Sequence, residues 1–301
     1  MSVKIIAGPC SISKENAKEL KEIASLNKGT YRRPIYGVRV VGLKSRTELK
    51  NDASYMGMDF NTHMQIYNEM LDGNFNAITK IDYPSIEIAK DVLAVDDKII
   101  IATEIVDPVL QIPVLARNIK QNLLSWNPAV NQLGWQMKVI GEYAKKYGFS
   151  IGIKNAKNLG ISVKDSEENN QTAPLEKVWK GLATYTGIQE DKSRIFMIQR
   201  GVDDINKGDF RSFPIHQCAK RVKQATNYQM LFDPSHSYGP KLRNKIVDGT
   251  IEAMSIKLDN VAWLYDGVLI EVGNSTTDTE QHITINELSN IIDEISKFRE
   301  I

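Results

Sequence analysis

Apolar residues in this chain recur as short runs separated by longer amphipathic stretches. Eight runs have strand length: residues 3–7, 36–43, 99–103, 122–126, 149–153, 195–198, 230–232 and 268–272. They are rich in Ile, Val, Leu and Phe and do not alternate with polar residues, which is the pattern of parallel strands buried on both faces. Helical periodicity fills the intervals, as at 16–24, 137–146, 215–224 and 285–298. Eight strands alternating with helices predict an α/β fold of the (β/α)8 barrel type, and an open doubly wound sheet is the second arrangement this pattern allows. The crowded stretch 59–97 leaves room for one more strand at 76–81. The polar run KDSEENNQT at 164–172 reads as a solvated loop, because strand–helix alternation continues on both sides of it.

Composition narrows this picture. A chain of 301 residues suits one barrel, which typically needs ~250, and no repeat or Gly/Ser-rich linker divides it. A single catalytic domain over 1–301, with no separate regulatory domain, is expected. The formal net charge of +1 gives no global field for nucleic acid or an anionic membrane, so anion recognition must come from local clusters. Two cysteines, Cys10 and Cys218, make no disulfide framework and suit a reducing, cytoplasmic setting. The opening MSVKIIAGPC has too short an apolar run for a secretory signal. No run approaches the ~20 apolar residues of a membrane span.

The residues with chemical potential fall at the C-terminal ends of the predicted strands, the face on which barrels build active sites. Cys10 (AGPCSI), His236 (DPSHS), Glu271 (GVLIEV) and Asp278 (TTDTEQ) supply a thiol, an imidazole and two carboxylates. Such a mixed set suits Mn2+, Fe2+, Co2+ or Zn2+ better than Ca2+ or Mg2+. Taken singly, each is equally a buried Cys, a loop His or a solvated carboxylate. Arg39, Lys44 and Arg46 (GVRVVGLKSRTE), Lys154 (GIKN) and Arg200 (RGV) are cations at successive strand ends. They make a poor core but a good cradle for phosphates and carboxylates. Glu104 and Asp107 (ATEIVDP) can order a lysine, move a proton or form a plain salt bridge.

These motifs, in the order AGPCSI, LKSRTE, ATEIVDP, LLSW, GIKN, RGV, DPSHS, GVLIEV and TTDTEQ, span Ala7 to Gln281. The chain thereby resembles the class I 3-deoxy-D-arabino-heptulosonate 7-phosphate (DAHP) synthases and the related 3-deoxy-D-manno-octulosonate 8-phosphate synthases. The resemblance implies a (β/α)8 barrel that condenses phosphoenolpyruvate with an aldose phosphate and releases inorganic phosphate. It implies one divalent metal ion on Cys10, His236, Glu271 and Asp278. Phosphoenolpyruvate would bind Arg39, Lys44, Lys154 and Arg200, and the aldose phosphate Arg46 and Thr47. Lys44 would donate a proton, with Glu104 orienting it, while Cys10 and His236 would act through the metal. Lys44-Ser45-Arg46-Thr47 has the spacing of the heptulosonate motif Lys-Pro-Arg-Thr rather than the octulosonate Lys-Ala-Asn-Arg-Ser. Erythrose 4-phosphate and the entry step of aromatic amino-acid biosynthesis follow as the expected substrate and pathway. Self-association into a homo-oligomer is also expected of such a barrel.

Three positions depart from the family pattern. After LLSW the family usually reads Gly-Ala-Arg, whose Arg grips a substrate phosphate; this chain reads NPAVNQLGW, placing Gln132 or a neighbour there. Losing a charge-assisted pair to a bound anion costs ~2–5 kcal/mol, so either another cation (Arg117 or Lys157) compensates, or phosphoenolpyruvate binds weakly, or the substrate differs. Gly273 stands where a His often follows the ligating Glu, and Ser45 replaces the usual Pro. The competing readings are therefore a condensation with a different aldose phosphate and a non-catalytic barrel that binds metal or anions.

Overall fold

Parallel strands cannot be joined by tight turns, so each apolar run must be followed by a crossover, and the helical stretches supply it. In the computed structural model, which describes residues 2–31, 33–45, 53–259 and 262–301, the elements run in this order: β1 (Lys4–Gly8), α1 (Ala17–Ser25), β2 (Ile35–Arg39), α2 (Phe60–Leu71), α3 (Ala77–Lys80), α4 (Ser85–Val95), β3 (Ile100–Glu104), α5 (Pro108–Ile119), β4 (Leu123–Trp126), α6 (Gly134–Tyr147), β5 (Ser150–Lys154), α7 (Pro174–Tyr185), β6 (Ile195–Gln199), α8 (His216–Thr226), β7 (Gln229–Phe232), α9 (Pro234–Tyr238), α10 (Ile246–Ser255), β8 (Gly267–Glu271) and α11 (Ile285–Ser296). The strands form a closed parallel barrel in chain order. β1 closes the ring by pairing with β2 on one side and β8 on the other, where Ile5 meets Val268 and Gly8 meets Glu271. This is the (β/α)8 barrel expected from the sequence, as one domain.

Burial explains why the strands do not alternate. Ile6, Ala102, Leu124, Trp126, Phe196, Ile198, Leu231 and Leu269 fill the barrel interior with Val41. The other strand face, including Ile5, Val38, Ile101, Ile151, Met197 and Val268, packs against the helices. Both faces are dry, so both are apolar. Helix ends carry their own stop and start signals. Asp107 caps α5 by accepting from the N–H groups of Val109 and Leu110, Thr284 and Glu287 form a capping box on α11, and Gly148 ends α6 with a φ of 78°.

Three expectations are revised. The extra strand at 76–81 is the helical turn α3, closed by bonds from Thr79 N to Asn76 O and Ile81 N to Ala77 O. Its β-branched residues suggested a strand, but β2 pairs directly with β3 (Gly37 with Ile100), and the closed ring leaves no edge for another. The run at 164–172 is more than a solvated loop. Residues Lys164–Glu168 make one π-type turn, and the Glu167 carboxylate accepts from the N–H groups of Gln217 and Cys218 at the start of α8. The second strand ends at Arg39 rather than at 43, although Val40 N–H still reaches Ala102 O at 2.9 Å. Among the described residues, no helix is long and apolar enough to cross a membrane.

Two helical glycines make a stability test. A Cβ on Gly141 of α6 would collide with the Thr186 carbonyl, whereas one on Gly181 of α7 meets open space. Gly141→Ala should destabilise the protein by about 1–3 kcal/mol through overpacking, and Gly181→Ala should stabilise it by about 0.5–1 kcal/mol. Urea unfolding of the two variants checks both signs.

Candidate active site

The C-terminal ends of the strands open into a cavity of about 280 Å³. Of the residues anticipated from the sequence, Lys44, Glu104, Lys154, Arg200, His236 and Asp278 line it. The first charged pair there joins the ends of the neighbouring strands β2 and β3. β2 leads into Lys44, whose N–H bonds Met56 O, and β3 ends on Glu104. Lys44 Nζ lies 3.8 Å from Glu104 Oε1, and the same oxygen accepts from Ser45 N at 3.1 Å and Ser45 Oγ at 2.8 Å. Burial alone would raise the Glu104 pKa. Lys44, Lys154 and the Ser45 bonds outweigh it and pull the value down to about 2. Burial likewise opposes the Lys44 charge, but Cys10 and Glu104 offset it and raise its pKa. The pair is therefore ionised.

A second chain of charges crosses the mouth from β5 to the β7 loop. Lys154 Nζ sits 3.0 Å from Asp233 Oδ2. The other Asp233 oxygen accepts from His236 N and lies 3.0 Å from His236 Nδ1. His236 stands on the short helix α9, which Pro234 starts and Asp233 caps. Burial lowers the His236 pKa despite Asp233 and Glu271, so the ring is neutral at pH 7. Its Nδ1 proton goes to Asp233 and the Nε2 lone pair is left towards Glu271, whose Oε1 is 3.8 Å away.

Glu271, at the end of β8, is fully buried. It accepts from Arg39 Nη2 at 3.0 Å and from Gln281 Nε2 at 2.5 Å. Burial works against its charge, but His236 and Arg39 hold its pKa well below the ordinary carboxylate range. Cys10 Sγ lies 3.5 Å from Asp278 Oδ2. Burial first, then the Glu271 charge, pushes the thiol up to about 11, so it is protonated at neutral pH.

The four anticipated metal ligands thus form two pairs, Cys10 with Asp278 and His236 with Glu271. Among the described residues, no group of three His, Cys, Asp or Glu is already gathered as a coordination shell. The chemistry of the donors fits a borderline divalent ion: a neutral imidazole oriented through its far nitrogen by a carboxylate, the ionised Glu271 carboxylate, a second carboxyl group on Asp278, and a thiol that such an ion would deprotonate on binding.

Other anticipated residues lie elsewhere. Arg39 is 1% exposed and lies outside the cavity lining; Nε donates to Pro9 O, and the guanidinium serves Glu271. Gln132 also lies outside the lining, its amide donating to Ala129 O and Lys154 O. Arg117 ties α5 to the α3 region through Ile81 O and Asp82 and supplies no cavity charge. Asp107 caps α5 and accepts from Tyr67 Oη. Arg46 and Thr47 lie outside the described residues. Sequence reasoning missed Arg211, Asp203 and Tyr55, which line the cavity together with Lys157. Asp203 and Arg211 sit in the loop after β6 and Tyr55 in the short turn Ala53–Met56, none within a recognisable motif.

Comparison with known proteins adds an independent line. The model of the DAHP synthetase I family matches residues 2–300. Among solved structures, a truncated form of 3-deoxy-D-arabino-heptulosonate 7-phosphate synthase from Thermotoga maritima aligns with a TM-score of 0.65 at 16% identity, over 98% of this chain and 86% of that one. The carboxyl transferase domain from Rhizobium etli pyruvate carboxylase, with pyruvate and biocytin, aligns with a TM-score of 0.50 at 10% identity, over 97% of this chain and 46% of that one. At such identities the likeness is one of fold. A search of curated protein sequences finds no significant match.

The Glu104 geometry carries a pH signature. Its folded pKa of about 2 lies below the ordinary 4.5, so it contributes stability above about pH 4.5 that is lost as pH falls towards 2. Glu104→Gln should destabilise the protein at pH 7 by leaving Lys44 without its counter-charge. The gap to wild type should narrow between pH 5 and pH 3. Urea titrations across that range test this, and a constant gap would refute the depressed pKa.

Proposed function

The chain belongs to the DAHP synthetase I family, and from that premise we propose that it condenses phosphoenolpyruvate with erythrose 4-phosphate. The products would be 3-deoxy-D-arabino-heptulosonate 7-phosphate and inorganic phosphate, at the entry to aromatic amino-acid biosynthesis. The observation that carries the reading is the cavity itself: Lys44, Lys154 and Arg200 face one space at the strand ends, with Glu104 holding Lys44 charged. Two phosphorylated substrates need such a concentration of cations. The Lys44-Ser45-Arg46-Thr47 spacing supports erythrose 4-phosphate as the aldose.

In this reading, Cys10, His236, Glu271 and Asp278 would hold a divalent ion, which supplies Lewis-acid polarisation of the aldehyde oxygen when bound. Lys154 and Arg200 bind the carboxylate and phosphate of phosphoenolpyruvate and aim its C3 at the aldehyde carbon, so that alignment rather than strain lowers the barrier. As the C3–carbon bond forms, the aldehyde oxygen gains the electron pair of the carbonyl, and Lys44 Nζ donates a proton to it. Water adds to the electron-poor C2 and loses a proton. The C2–O bond to phosphate then breaks as the ketone forms. Glu104 keeps Lys44 protonated between turnovers. His236 moves no proton, because its only N–H is committed to Asp233. Lys44, Lys154 and His236 are buried and paired before substrate arrives, so little reorganisation is required of them.

A second reading keeps the chemistry and changes the aldose. It is motivated by Gln132, which stands where the family usually has an Arg and donates to backbone carbonyls instead.

The test incubates Mn2+-loaded protein with phosphoenolpyruvate and a panel of aldose phosphates, following phosphoenolpyruvate loss and phosphate release. Equal amounts of both, dependent on erythrose 4-phosphate and abolished by a chelator, are expected. Cys10→Ala and His236→Ala should fold, bind Mn2+ weakly by calorimetry and lose turnover. Turnover with only another aldose would select the second reading. Stoichiometric Mn2+ binding without turnover on any aldose would end both.

A further inference from the structure

Arg200 leaves β6 into the cavity wall at 4% exposure, and among the described residues its Nη1 has no hydrogen-bond partner. A buried guanidinium nitrogen without a partner is costly unless something outside the chain satisfies it. Two further cations line the same cavity. Lys157 comes from the loop after β5 and Arg211 from the loop after β6. Neither belongs to the strand-end motifs.

The loop that carries Arg211 is built rather than loose. Val202 and Phe213 exchange backbone bonds at 3.0 and 2.8 Å, closing it as a hairpin. Arg211 N and Ser212 N bond Tyr238 O and Ser237 O, so the loop rides on the segment that carries His236. Phe210 packs on Phe213 and Tyr238 with ring centroids 5.4 and 5.2 Å apart. Gly239, with φ of 70°, leaves the space that Arg211 Cβ fills. The guanidinium is aimed by Gln281 Oε1 at 2.5 Å and Asp278 Oδ2 at 3.6 Å. Lys157 lies 3.8 Å from Asp203. Arg211 stands close enough to depress the Arg200 pKa, although burial is the larger cause.

We propose that Arg200, Arg211 and Lys157 form the seat for a substrate phosphate monoester, and that Arg211 and Lys157 supply the charge that Gln132 does not. Arg211, on a loop braced against the His236 segment, and Lys157, on the loop after β5, line the same cavity as an unsatisfied guanidinium, and a phosphate dianion would satisfy that guanidinium through forked N–H···O bonds. Which of the two phosphorylated substrates occupies the seat rests on the condensation reading above; the existence of the seat does not.

Calorimetry of the intact protein with inorganic phosphate and with phosphoenolpyruvate tests the seat without turnover. Arg211→Gln and Lys157→Gln should each weaken binding of at least one probe by roughly tenfold to a hundredfold. Arg211→Lys should fall between wild type and Arg211→Gln. Lys192→Gln, an exposed cation before β6 at the opposite end of the barrel and outside the cavity lining, should match wild type. Unchanged melting temperatures would exclude a folding cause. In steady state, a raised KM for phosphoenolpyruvate or for the aldose phosphate, with kcat little changed, identifies the occupant. If the double Arg211→Gln, Lys157→Gln variant binds both probes within twofold of wild type, or wild type binds neither, the seat is overturned. A wild type that binds phosphate but turns over no aldose would sink the condensation reading and leave the seat standing.

Discussion

The constraint on which the rest of this structure depends is the burial of seven charges at one end of a closed barrel. Arg39, Lys44, Lys154 and Arg200 and the carboxylates Glu104, Asp233 and Glu271 are each at most 6% exposed. An unpaired charge so placed costs several kcal/mol, so each must be met by a partner of fixed geometry. Three partnerships meet that need: Arg39 with Glu271, Lys44 with Glu104, and Lys154 with Asp233 and through it His236. Ring closure makes them possible. β1 lies between β2 and β8, so residues far apart in the chain, such as Arg39 and Glu271, emerge side by side.

The same lattice explains what the site can accept. Four buried cations face three buried carboxylates, and Arg200 is the one without a close carboxylate partner among the pairs above. Anions complete such a set, whereas a neutral ligand would leave it unsatisfied. The lattice also divides labour among residues that look alike in sequence. Arg39 and Arg200 both end strands, yet Arg39 donates to Glu271 and Pro9 O while Arg200 faces the cavity. Glu104 and Asp107 lie three residues apart, yet one holds Lys44 and the other caps α5.

Much of this was legible because strand ends are rigid consequences of strand positions. An apolar run buried on both faces declares itself, and the residue that follows it must emerge at the mouth. Lys44, Glu104, Lys154, Arg200, His236 and Asp278 were found that way. The turn at Ala77–Lys80 was misread because Ile78, Thr79 and Ile81 favour a strand locally, and only ring closure forbids one. Arg39 ends a strand yet stands outside the cavity lining, a direction of approach set by Pro9 and Glu271, which no strand pattern shows. Gln132 was located by motif alone, which fixes a position in the chain but not the side chain's direction. Arg211 was invisible because its placement rests on Tyr238, Gly239 and Gln281, contacts across 27 to 70 residues that no spacing rule encodes.

Two kinds of residue therefore make up the site, and they differ in how freely they can change. The inner set sits at or just past the strand ends, is buried and, Arg200 apart, is locked by counter-charges, so replacing a paired member strands its partner. The outer set, with Arg211 35% and Lys157 48% exposed, sits on loops outside the barrel strands. Loops can be rebuilt without unmaking the barrel. The cation that the family pattern has in the loop after β4 is replaced here by the uncharged Gln132. That charge can be restored from a loop that reaches over the mouth. The loop after β6 has the length, the hairpin closure and the aromatic footing to do so. On the proposed seat, the cation missing at Gln132 is supplied instead from the loops after β5 and β6, whose Lys157 and Arg211 line the same cavity.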